Sequence, residues 1–130
     1  MSVRGIRGAT TADENTREAI LDATADLLRH MVEANDTQIE DVAAIYFTVT
    51  NDLDAEFPPL AARRMGWTDL ALLCATEMPV PGSQGRCIRV LMIVNSDKSQ
   101  EDVQFVYLKD AANLRDRGMK EEVQSLAAEE

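Results

Sequence analysis

Gly82-Ser83-Gln84-Gly85-Arg86-Cys87-Ile88-Arg89-Val90-Leu91-Met92-Ile93-Val94 is the stretch that decides the fold. A glycine turn opens it, and the run that follows is rich in β-branched residues, the pattern of a strand. Side chains alternate across a strand with a period of two. One face therefore carries Cys87, Arg89, Leu91 and Ile93, and the other Ile88, Val90, Met92 and Val94. Both faces are apolar, which predicts a central strand covered on both sides. Arg89 interrupts one of them. A guanidinium on an apolar face needs an anionic partner. A protein carboxylate or a bound ligand would meet that need equally well.

Working outward, the rest of the chain supplies strands and helices to flank this one. Val3 to Thr11 reads as an irregular strand containing Gly5 and Gly8, with Arg4 and Arg7 on opposite faces. Asn15 and Glu18 resemble a capping box. From there to Ala34, residues Ile20, Thr24, Leu27, Met31 and Ala34 recur at helical spacing, widened by Leu21 and Leu28. The pattern from Asp41 to Thr50 alternates Ile45, Phe47 and Val49 against Tyr46, Thr48 and Thr50. Phe57-Pro58-Pro59 starts a short helix that Gly66 stops. Leu70 to Thr76 and Val103 to Leu108 read as strands, with Ser99 capping one helical turn between the central strand and the last, and Ala111 to Arg115 as a final turn. The order β-α-β-α-β-β-β predicts a mixed β-sheet with two main helices, in the α/β (α+β) class. Two helices cannot cover both faces of five strands, so self-association is expected to cover the second face. Residues 1–116 form one domain, and the charged residues 117–130 a loosely attached tail.

Composition narrows the chemistry. The 130 residues carry a net charge of −10, the wrong sign for holding nucleic acid. No apolar run approaches the length of a membrane span. The N-terminus lacks an apolar export core, so Cys74 and Cys87 read as reduced, buried thiols and the expected compartment is the cytoplasm. His30 is the only histidine and has no companions for a zinc site or a nucleophilic triad. No glycine-rich phosphate loop, CxxC pair or nucleophile elbow is present. Arginine stands out, ten against three lysines. Arginine suits bidentate recognition of carboxylates. Arg7, Arg63, Arg89 and Arg115 could converge with Glu77 and Tyr107 on a small dicarboxylate. Such a site favours a reaction that needs only positioning and charge stabilisation.

Arg4-Gly5-Ile6-Arg7-Gly8-Ala9-Thr10-Thr11, Phe57-Pro58, Cys74 with Glu77-Met78, Cys87-Ile88-Arg89-Val90, Val106-Tyr107-Leu108 and Leu114-Arg115 occur in an order that resembles the AroH class of monofunctional chorismate mutases. The resemblance spans residues 3 to 117. It implies a homotrimer of α/β subunits around a pseudo-barrel, with active sites in clefts between subunits. The implied reaction is the Claisen rearrangement of chorismate to prephenate, on the route to phenylalanine and tyrosine, without cofactor or metal. By resemblance, Arg7 and Tyr107 bind a substrate carboxylate. Arg89 contacts the ether oxygen and a carboxylate. Glu77 and Cys74 hold the region of the ring hydroxyl, Glu77 also pairing with Arg89. Phe57, Leu72, Leu73 and Leu114 line an apolar wall, and Arg63 and Arg115 close the mouth. The chain departs from the family at Leu60, where a lysine is common, and at Leu73, where some members have threonine. It is also one residue shorter around Gly66-Trp67. A trimeric sensor of an anionic aromatic metabolite and an imine deaminase of the RidA type are the alternative readings.

Overall fold

The structure, a computed structural model, describes residues 1–113. Five strands form one sheet: β1 (Ser2–Thr11), β2 (Val42–Val49), β3 (Ala71–Thr76), β4 (Cys87–Ser96) and β5 (Val106–Tyr107), in the spatial order β3-β2-β4-β1-β5. β4 lies at the centre, antiparallel to β1 on one side and to β2 on the other. β3 runs parallel to β2, and β5 parallel to β1. The sheet is therefore mixed, as the alternation of strand and helix patterns predicts.

Helix α1 (Arg17–Ala34) and the short α2 (Pro59–Arg64) both lie on one face of the sheet. On that face Ile88, Val90, Met92 and Val94 of β4 are buried, together with Ile45, Phe47 and Val49 of β2 and Ile6 of β1. Leu27, Leu28 and Met31 of α1 close over them. Gly8 lets the helix approach. A Cβ built there would stand 2.5 Å from Met31 Sδ and 3.2 Å from Leu27 Cδ1, so the glycine in this strand marks a close helix–sheet contact. α1 begins one residue later than its sequence suggests. Thr16 is the cap, its Oγ1 accepting from Ala19 N at 3.2 Å. Asn15 instead ties the helix start to the loop after β2, its amide oxygen accepting from Asp54 N and Ala55 N. At the other end Ala34 is exposed rather than part of the buried stripe.

The described residues leave much of the second face of the sheet open. Val3, Tyr46, Leu73 and Leu91 stand exposed on it, and Arg89 shares that face. The expectation that both faces of β4 are covered thus holds for only one face within the single chain. Arg89 accordingly has an exposed side chain, not a buried one. The strand expected over Val103 to Leu108 is shorter, only Val106–Tyr107 pairing with β1. Val103 and Phe105 before it pack onto the core from irregular backbone. The turn after Ser99 forms over Gln100–Asp102, with Ser99 Oγ donating to the Asp102 carboxylate at 2.8 Å instead of capping a backbone N–H. A last turn covers Lys109–Asn113. Leu114, Arg115 and the tail 117–130 lie outside the described residues.

Candidate active site

Strand register builds the site. Tyr107 on β5 is level with Ala9 on β1, Ala9 with Arg89 on β4, Arg89 with Thr48 on β2, and Thr48 with Ala75 on β3. Residues level across a sheet share a face, so these five make one row on the bare side. The next row holds Arg7, Leu91, Tyr46 and Leu73. The result is a cavity of about 310 Å³ whose walls include Arg7, Tyr46, Thr48, Glu77, Arg89 and Tyr107.

Glu77 follows the end of β3 and is held from two directions. Its backbone N–H donates to Val49 O at 2.7 Å. Its Oε1 accepts from Thr48 Oγ1 at 2.5 Å. Arg89 Nη1 then reaches both carboxylate oxygens, at 3.0 and 3.2 Å. Among the described residues the guanidinium is engaged only through Nη1, which leaves the other N–H groups of a permanently charged donor unengaged beside the cavity that Arg89 lines. Arg7 lies 5.9 Å from the centre of the Phe105 ring, a cation–π distance that fixes the second cation in place. The Tyr107 hydroxyl is buried and has no hydrogen-bond partner among the described residues. A buried hydroxyl in that condition is one that a ligand oxygen would satisfy. The cavity therefore offers two guanidinium groups and a phenol to an anion, with one carboxylate to orient and balance them.

The entry to β4 is fixed by a second polar cluster. Asp52 accepts from Arg86 N at 2.9 and 3.1 Å and from Thr50 Oγ1 at 2.5 Å. Thr50 Oγ1 in turn accepts from Cys87 N at 2.9 Å. These bonds hold Arg86 at φ +48°, a left-handed conformation costly for a residue other than glycine. The Thr50 hydroxyl keeps the Asp52 carboxyl below its ordinary range, burial pushes it back upward, and the N–H of Arg86 adds a smaller downward pull. Burial pushes the Cys87 thiol up to about 11. Cys74 is only half-buried, against the expectation of two buried thiols, and burial raises it as well.

The remaining candidates gather elsewhere. A separate cavity of about 400 Å³ at the outer edge of β3 is walled by Phe57, Leu60, Arg63, Leu72, Leu73 and Cys74. Phe57 is 73% exposed there. Leu72 and Cys74 pack onto the helix-side core, and Leu73 alternates toward the bare face. Arg63 therefore does not converge with Arg7 and Arg89 within one chain, nor does Cys74 join Glu77. The structure brings together Arg7, Glu77, Arg89 and Tyr107. It sets Phe57, Arg63, Leu72, Leu73 and Cys74 apart. Sequence reasoning missed Thr48 and Tyr46 as cavity residues. Their alternation on β2 was legible, but only the register shows that Thr48 faces Arg89.

Among the described residues no three His, Cys, Asp or Glu side chains are grouped to hold a metal ion. No described helix is long and apolar enough to cross a membrane. Residues 3–117 match the family model for chorismate mutase type I. The chain is 54% identical to the chorismate mutase AroH of Thermus thermophilus over 114 residues, covering 87% of this chain and 93% of that protein. Against the chorismate mutase AroH of Bacillus subtilis the identity is 43% over 116 residues, or 88% and 91% of the two chains. The fold superposes on a solved chorismate mutase from Clostridium thermocellum with a TM-score of 0.81 and 52% identity, covering 82% of this chain and 96% of that one.

Proposed function

The chain belongs to the type I chorismate mutase family and converts chorismate to prephenate, and from that premise we propose that the cavity around Arg89 is one half of its active site, the other half being the β3-edge cavity of a neighbouring subunit. The observation that carries this is the Arg89 guanidinium, braced by Glu77 on one nitrogen and presented on a sheet face that the described residues leave open. The arrangement wanted is a homotrimer, a closed ring in which each interface joins unlike surfaces. The exposed Tyr46, Leu73 and Leu91 are the apolar part of the surface it would bury. Residues 1–116 form the folded domain of each subunit in this reading, and the free thiols Cys74 and Cys87 suit the cytoplasm.

The rearrangement is unimolecular. The ether C–O bond breaks as a new C–C bond forms, and no proton, nucleophile or cofactor enters. Catalysis then reduces to holding the reactive conformer and stabilising charge that gathers on the ether oxygen. Arg89 is the donor to that oxygen. Arg7 and Tyr107 anchor a carboxylate, Tyr107 through the hydroxyl that has no partner among the described residues. Glu77 orients Arg89 and, with Cys74 of the neighbour, faces the ring hydroxyl. Phe57, Leu72 and Leu73 of the neighbour supply the apolar wall, joined by Leu114. Arg63 and Arg115 close the mouth. Leu60 in the second cavity replaces a cation at the entrance, which weakens the local attraction for a dianion without touching the reacting bonds.

Arg89→Ala and Arg89→Lys test the assignment. A charged donor at a developing oxyanion is worth about 3–4 kcal/mol. Both variants should lose at least about a hundredfold in kcat, followed by loss of chorismate absorbance, with unfolding transitions unchanged. Lysine fails because a single ammonium cannot meet Glu77 and the ether oxygen with the geometry of the planar fork. Full turnover by either variant refutes the role given to Arg89. All the relatives named above are mutases, and no observation favours a sensor or an imine deaminase.

A further inference from the structure

We propose that Thr48 is a positioning residue for the reaction, one that sets the Glu77 carboxylate against Arg89 through its hydroxyl. The proposal rests on the reading that Glu77 and Arg89 form the catalytic pair. Three bonds meet at Glu77: Thr48 Oγ1 to Oε1 at 2.5 Å, and Arg89 Nη1 to Oε1 and Oε2 at 3.0 and 3.2 Å. Thr48 is also the direct cross-strand neighbour of Arg89. The hydroxyl, the carboxylate and the guanidinium thus come from a strand, the end of the next strand and the central strand, and they touch at one point.

The need for such a brace follows from where Glu77 lies. It stands just past the last residue of β3, at the start of the exposed connection to β4. Its backbone is pinned to Val49, but its side chain still has three rotatable bonds. Arg89 has four and an exposed side chain. An ion pair between two such chains is loosely ordered, because each gives up rotamer freedom to hold one geometry. Threonine is the opposite case. It is β-branched, its χ1 is restricted, and it stands one residue before the end of β2, paired with Ala75 on one side and Arg89 on the other. Its hydroxyl offers the carboxylate a fixed point on a rigid element. With Oε1 fixed, the Arg89 fork is held in one orientation at the wall of the cavity it lines. Carboxylate anchoring by Arg7 and Tyr107 does not pass through Thr48. Loss of the hydroxyl should therefore lower kcat and leave KM nearly unchanged.

Thr48→Val removes the hydroxyl at nearly constant shape, Thr48→Ala removes it with the methyl, and Thr48→Ser retains it. Each is to be assayed for chorismate turnover alone and in a Glu77→Ala background, beside Arg89→Ala. The expected result is a fall of about tenfold in kcat for the valine and alanine variants, a hydrogen bond to a charged acceptor being the interaction lost. KM should stay within about twofold and the serine variant within about threefold of the parent. In the Glu77→Ala background the valine substitution should cost nothing further. Wild-type kcat in Thr48→Val and Thr48→Ala, with Arg89→Ala inactive, overturns the role of Thr48 alone. An equal loss in both backgrounds overturns it too, since the hydroxyl would then act without Glu77. Full activity in Arg89→Ala instead overturns the catalytic pair on which the proposal rests.

Discussion

Arg89 and Met92 are three residues apart on β4 and point to opposite sides of it. Met92 is fully buried among Ile6, Ile45 and the side chains of α1, where its surroundings are apolar and complete within one chain. Arg89 is exposed beside a carboxylate, a hydroxyl and a cavity. One face of the sheet holds the subunit together, and the other is left for substrate and for a second subunit. Alternation along a strand therefore divides stability from chemistry, and substitutions on the two faces should fail in different assays.

The largest effect tests whether the open face is completed by another chain. Arg89→Ala disables the first cavity, and a Phe57→Asp/Arg63→Ala double variant sets a negative charge and removes a positive one in the second. Both changed positions of the double variant are exposed, so its fold should be kept. Each protein alone should be nearly inactive. Co-expressed in equal amounts, they should regain about one quarter of wild-type activity, because random assembly pairs two intact halves at about one interface in four. Sedimentation should give three subunits for all of them. Mixed assemblies that stay inactive would place both halves in one chain.

The covered face gives the intermediate effect. Met92→Ala should destabilise the fold by about 2–5 kcal/mol in denaturant, through lost burial and the cavity left behind. Its kcat, measured below the unfolding transition, should remain within a few-fold of wild type. Arg89→Ala should show the reverse pattern. A Met92→Ala protein with unchanged stability would mean that the two faces are not divided in this way.

Much of the covered face was legible in the sequence. Ile45, Phe47 and Val49 alternate, Ile20, Leu27 and Met31 recur at helical spacing, and β4 reads as central from its own composition. Periodicity reports burial, and burial is what these residues do. The open face was read only in part. Cys87, Leu91 and Ile93 make it look like a second core face, which predicts cover over Arg89 that the described residues do not supply. Thr48 was visible as a β2 residue of the polar side, but its meeting with Glu77 depends on register between β2, β3 and β4, which no local pattern encodes. The same holds for the separation of Phe57 and Arg63 from Arg7. Spacing along the chain carries no information about which of two cavities a residue joins. The short β5 was overread because Val103 and Phe105 are apolar for packing, not for pairing.

The smallest effect separates the two cysteines, one on each side of the comparison. Cys87 begins β4 on the open side, yet it is buried, with its backbone bonded to Thr50. Cys74 lies on the helix side of β3 but near the sheet edge, and is half-exposed. A thiol reagent at mildly alkaline pH should therefore modify Cys74 first and leave Cys87 untouched in the native protein. The sign of the pH effect follows from the same burial. Unfolded, the Cys87 thiol loses its proton near 9.0, whereas in the fold it holds on to about 11. Between these values the native state binds more protons than the unfolded state, so stability falls as pH rises. The contribution is whole below about pH 9 and lost progressively toward pH 11. Other groups titrate in this range as well, and comparison with Cys87→Ala subtracts them. The stability difference between wild type and Cys87→Ala, measured in denaturant at pH 8 and again at pH 10.5, should shift against wild type. A difference independent of pH would mean that water reaches the Cys87 sulfur in the native protein, at the start of the strand that carries Arg89.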